Sequence, residues 1–150
     1  MGLGTWIIAR AQRRAPDFLV GGSVNPYMRR WWIIPRNRFF NIYLHQFLRD
    51  DEDRALHDHP WVSLSWMIRG QLIEFTKEKI RAIRAGQWTW RGAHFAHRLV
   101  VPQEVRGETW TLFITGPVIR TWGFHCEKGW RPWQQFVNMA SPGEVGPGCD

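Results

Sequence analysis

Cysteine is scarce: Cys126 and Cys149 are the two in a chain of 150 residues. Two thiols cannot build the framework of a disulfide-stapled secreted scaffold, and reduced cysteines in a cytoplasmic protein are the expectation. Long apolar runs are also missing. No stretch approaches the ~18 residues that a membrane span needs, and Trp6, Ile7 and Ile8 give way almost at once to Arg10, so no secretory leader is expected. Helical periodicity is confined to residues 4–14, ahead of Pro16. A parallel α/β sheet, which needs a crossover helix between strands, is thereby excluded. Acids are few, 13 against 20 Lys and Arg, for a formal charge of +7. The cations fall in short clusters (Arg10, Arg13 and Arg14; Arg29 and Arg30; 77–84), not in a tail. Nucleic acid is therefore a less favoured partner than a small molecule.

Aromatic carbon is abundant. Eleven Trp and nine Phe stand beside two Tyr, enough to fill a core and line a pocket as well. Past a Gly/Pro-rich loop at 21–26 the pattern reads as short strands: 39–47, 61–68, 71–75 with 79–84 as a hairpin, 87–90, 97–101, 108–115 and 120–124. Many short strands broken by Gly and Pro indicate an all-β sandwich or barrel. The expected organisation is an N-terminal helix and extension over 1–38, a barrel over 39–140 and a mobile tail over 141–150.

His57 and His59 flank Asp58 just ahead of a strand. In extended chain, residues i and i+2 share a face, so both imidazoles can reach one point, with Trp61, Ser63, Ser65 and Met67 continuing that face. A third imidazole would complete a facial set with open positions for water or substrate. His97 is the candidate and His94 its rival.

The stretch 51–101, about a third of the chain, resembles the two motifs of the cupin superfamily. In the first motif His57, His59 and Gly70 fall at matching positions, while Asp51 stands for the opening glycine and Ser63 for the glutamate. In the second, Gly86 and His97 match, while Gly92, His94 and Val101 depart from the Pro, Gly and Asn slots. The wording of 53–61, Gly116-Pro117, 122–124 and Gly129-Trp130 is also similar to an uncharacterised cupin-like group from phages and bacteria. The resemblance implies a double-stranded β-helix, a jelly-roll barrel, with His57, His59 and His97 as metal ligands. A homodimer is a further implication. Because Ser63 cannot replace a carboxylate ligand, the implied set is three neutral imidazoles. That set resembles the cupin thiol dioxygenases and favours iron(II), with zinc, manganese or nickel also acceptable.

Other residues are weighed on their own chemistry. His45, on a strand, is a candidate catalytic base or partner of a ligand. Arg120 and Trp122 are candidates to receive an anionic or aromatic substrate, together with Trp61 and Ser63. Arg98 has the opposite parity to His97 and should face outwards. Asp58 should point away from the ligands, taking backbone N–H groups or Arg54. The functional expectation is a metal-dependent, dioxygenase-like cupin acting on a small anionic or aromatic substrate. The alternative is a non-catalytic barrel that holds a ligand or nucleic acid on a basic, Trp-rich surface. The direction of Trp61, Trp88, Trp90 and Trp122 discriminates the two.

Overall fold

Strand alternation builds this molecule, with one helix laid on the outside. A computed structural model describes residues 2–50, 55–140 and 146–150. In chain order it has α1 (Leu3–Ala11), β1 (Phe18–Val20), β2 (Met28–Trp32), β3 (Asn41–Phe47), β4 (Leu56–His57), β5 (Ser63–Arg69) and β6 (Gln71–Phe75). There follow β7 (Ile80–Arg84), β8 (Trp88–Arg91), β9 (Arg98–Val100), β10 (Thr109–Thr115), β11 (Gly123–Cys126), β12 (Gly129–Pro132) and the one-turn α2 (Trp133–Phe136).

One face of the barrel is a six-stranded antiparallel sheet in the order β1-β2-β3-β10-β5-β8. The other face consists of two three-stranded sheets, β12-β11-β4 and β7-β6-β9. A single antiparallel bridge, His57 to His97, joins them. The architecture is the expected all-β jelly roll with a short N-terminal helix.

Parity divides the six-stranded sheet cleanly. Leu44, Trp31 and Trp110 point outwards and bury Ile8 and Ala11 of α1. Met28, Phe47 and Met67 point inwards and meet Leu72, Ile83 and Val101 from the opposite face. The sheet begins at Phe18, upstream of the boundary expected at residue 39. The sequence Met28-Arg29-Arg30-Trp31-Trp32 obscured β2, because an outward Trp covered by α1 and an inward Arg invert the usual alternation. Arg120 and Trp122 lie ahead of β11, not on it.

The cysteines correct the sequence expectation. Cys126 and Cys149 form a disulfide. Of the expected mobile tail, 141–145 lies outside the described residues, while 146–150 is tied down. Arg131 Nη1 donates to the carbonyls of Gly148 (2.8 Å) and Asp150 (2.7 Å). Disulfides persist in oxidising compartments, so the cytoplasmic expectation loses the support of reduced thiols. Among the described residues no helix is long and apolar enough to cross a membrane.

The β5–β6 turn rests on Gly70, whose φ of +81° suits glycine. A Cβ there would also lie 2.7 Å from the Thr109 Cα of the adjacent strand. Gly70→Ala is expected to cost about 1–3 kcal/mol, read as a lower urea midpoint. An unchanged midpoint would show that the turn relaxes freely.

Candidate metal centre

The bridge that closes the second face also creates the site. The His57 N–H donates to the His97 carbonyl and the His97 N–H to the His57 carbonyl, each at 2.9 Å. Two imidazoles that are 40 residues apart in sequence numbering (97 minus 57) are thus held side by side by the backbone. Two residues on from His57, the His59 N–H donates to the Ala93 carbonyl at 3.1 Å, which returns the ring to the same side.

The three rings form a near-equilateral set, with centroids 5.1 Å (57–59), 5.2 Å (57–97) and 5.2 Å (59–97) apart. One ligand nitrogen from each lies within 4.8 Å of the others. His59 Nε2 and His97 Nε2 stand 2.9 Å apart. Nitrogens bound to one ion at about 2.1 Å lie roughly 3 Å from each other at right-angled coordination, so the set fits a single small divalent ion. Burial, with the neighbouring imidazoles adding to it, pushes His59 well below the usual histidine range. Burial likewise pushes His97 down to about 4, against the opposing pull of Glu74. Both therefore present neutral rings near neutral pH, the state in which imidazole binds metal.

Glu74 is the residue that sequence reasoning missed. It sits mid-strand in β6, on the same side as Leu72, with no exposed surface. Its Oε1 accepts from His97 Nδ1 at 2.8 Å and from Arg91 Nε at 2.7 Å. Its Oε2 accepts from Arg81 Nε at 2.6 Å. Burial alone would raise the Glu74 pKa, but the His97 hydrogen bond and the Arg91 charge overcome it and hold the group at about 2. An ionised carboxylate only accepts, so the proton of His97 resides on Nδ1 and its Nε2 lone pair points to the site. The available signal was parity: an acid on the face of Leu72, in an otherwise apolar strand, must have partners waiting.

No family model matches the chain, and no curated protein matches it. Solved structures do. KdgF from Halomonas sp. superposes with a TM-score of 0.52 at 14% identity, over 67% of this chain and 94% of that one. An RmlC-like cupin from Shewanella frigidimarina gives 0.51 at 17% identity, over 63% and 80%. The DMSP lyase DddQ from Ruegeria pomeroyi gives 0.57 at 12% identity, over 77% and 62%. The chain has the cupin fold.

Within this fold the expected site residues separate into distinct places. Trp61 stacks along His59 (centroids 6.5 Å apart), and Trp122 meets His57 edge-on at 6.2 Å. Phe95 and Phe124 complete the wall around His97 and His57. Ser63 fills the glutamate slot as a buried hydroxyl, and neither its Oγ nor Trp61 Nε1 has a hydrogen-bond partner among the described residues. His94 is exposed and stands outside the three-His group. Trp88 and Trp90 project outwards, 55% and 68% exposed, from the edge strand β8. The four discriminating tryptophans thus divide in pairs between the site and the surface.

Arg120 does not hang free in the barrel. Its Nη1 pairs with Asp58 Oδ1 at 2.9 Å and reaches the carbonyls of His59 and Ala93, each at 3.3 Å. Asp58 points away from the ligands, as expected, and accepts from the Gly123 N–H (2.9 Å), Trp130 Nε1 (3.0 Å) and His125 (3.1 Å). Burial opposes its charge, yet these donors, Arg120 foremost, hold its pKa below the usual value. Arg54, its expected partner, lies outside the described residues. Through Arg120 and the Gly123 N–H, Asp58 pins the His57–His59 loop to the segment that leads into β11 and to the start of that strand.

Folding lowers the pKa of Glu74 from 4.5 to about 2. As pH falls, the unfolded chain therefore takes up this proton first. The stabilisation is full above about pH 4.5 and fades as pH approaches 2, an amount on the order of 3 kcal/mol. Glu74→Gln is expected to flatten this part of the acid-unfolding curve and to weaken the protein at pH 7, since Arg91 would stay buried without its counter-charge. An acid slope identical to wild type would remove Glu74 from this role.

Proposed function

We propose that this cupin is a metal-dependent enzyme, dioxygenase-like in chemistry, acting on a small anionic or aromatic molecule. His57, His59 and His97 would hold one divalent transition metal, iron(II) ahead of zinc, manganese or nickel. The observation that carries the reading is the convergence of three imidazole nitrogens within 4.8 Å, with no carboxylate in the group among the described residues. A metal so held keeps nearly its full charge and open positions, and would supply Lewis-acid or oxygen-activating chemistry there.

The chain's own side chains would do the rest. Glu74 sets the tautomer and rotation of His97. Trp61, Trp122 and Phe113 offer flat apolar walls beside His59 and His57, which exclude water and suit an aromatic body. The Ser63 hydroxyl and the Trp61 indole N–H are uncommitted and available to a polar group of the substrate. Arg120, engaged by Asp58, would position the His59 loop.

A second reading rests on exposed Trp88 and Trp90, whose faces could stack bases beside a net positive chain. Elemental analysis decides between them. After anaerobic reconstitution with iron(II) and desalting, wild type should retain about one equivalent of metal and His57→Ala, His59→Ala close to none. The loaded protein should then consume oxygen with some member of a panel of small acids and aromatics. Metal in neither protein, with oligonucleotide binding lost in Trp88→Ala, Trp90→Ala, would replace the enzyme reading with the second.

A further inference from the structure

Most of the ion-paired arginines share one habit. Arg14, Arg69, Arg81, Arg91, Arg106 and Arg120 each reach an Asp or Glu. Arg30 reaches none among the described residues, although it is more deeply placed than several of these. It rises from β2 opposite His45 of β3, on the barrel-facing side of the sheet. Its Nε donates to His45 Nε2 at 2.9 Å, and its guanidinium lies 4.9 Å from the centre of the Tyr43 ring. The groups that act on its charge are the phenols of Tyr27 and Tyr43 and a second cation, Arg36. No carboxylate is among them. Burial accordingly pulls the guanidinium below the ordinary arginine range.

Strand parity turns Arg30, His45 and Phe113 to the same side of the six-stranded sheet, the side from which Phe113 meets His59. Phe113 stands between them, its ring 5.2 Å from His45 and 6.4 Å from His59. Arg30 is half-buried, and a partly desolvated cation without an anion carries a cost that falls when an anion arrives. With Nε committed to His45, the two Nη groups remain for an end-on, two-pronged bond to a carboxylate. One guanidinium among aromatic rings, with no lysine beside it, suits a carboxylate better than a phosphate, which draws on several donors.

We infer that Arg30 is an anion subsite inside the barrel, where it receives the carboxylate of a small organic acid whose other end extends past Phe113 towards His59. The inference rests on the proposed metal centre only for that direction; the anion site itself needs no metal. It also reassigns His45. A general base needs a lone pair, and that of Nε2 is already taken by Arg30. His45 is a positioning residue that aims the guanidinium.

The test uses EDTA-treated full-length protein and calorimetric titration with benzoate, with benzamide as its uncharged counterpart. Wild type is expected to bind benzoate at least about tenfold more tightly than benzamide, the worth of one charge-assisted pair. Arg30→Gln should abolish that preference, Arg30→Lys should keep part of it, and Arg29→Gln, at the exposed neighbouring position, should leave it intact. His45→Gln, which keeps an acceptor, should preserve the preference, and His45→Leu should reduce it. Thermal melts identify variants that fail to fold. Equal binding of the two probes, no binding of either, or an unchanged preference in folded Arg30→Gln would overturn the assignment. A preference that depends on Arg30 in a protein that retains no iron would uphold the subsite and overturn the metal centre alone.

Discussion

A single buried carboxylate organises the interior of this protein. Glu74 has no exposed surface, yet it stays ionised because Arg81, Arg91 and His97 converge on its two oxygens from three other segments of the second face and its neighbours. Each partner is fixed by a different strand register: Arg81 lies directly across the β6–β7 hairpin, and Arg91 belongs to β8 on the opposite sheet. The carboxylate therefore ties the two faces of the barrel together and orients one ligand of the site in the same act. An interior charge is tolerated only when fully paired, so the network constrains all four side chains at once.

Around that anchor, charge is arranged with economy. Asp58 and Arg120 form a second pair in the middle of the His57–His59 segment, where they fasten its backbone and leave the imidazoles free of their charges. Among the described residues the three imidazoles have no acid with them, which would keep a bound ion strongly charged and its open positions available. Arg30 completes the pattern as an inward cation that meets no carboxylate among the described residues. Paired charges support the architecture, and Arg30 faces the side of the sheet where a substrate would lie.

Much of this was legible in the residues. The alternation of β3, β5 and β10, the Gly70 turn and the β6–β7 hairpin follow from period and punctuation, and His57-x-His59 announces its shared face by spacing alone. The boundary of the barrel was not legible, because β2 carries Arg30 inwards and Trp31 outwards under α1. The Cys126–Cys149 bond escaped notice because a pair of thiols carries no spacing signal, and only the return of 146–150 beside β11 brings them together.

The chain by itself determined its all-β class, its N-terminal helix, the pairing of His57 with His59 and the composition of an aromatic interior. Those properties depend on local period and side-chain chemistry, which a linear text contains. Tertiary structure alone decided that Glu74 would brace His97, that Asp58 would claim Arg120, and that Arg30 would enter the barrel without a carboxylate. Each depends on which strands lie opposite one another across the barrel, and such long-range register is set by collective packing, not by any segment read alone.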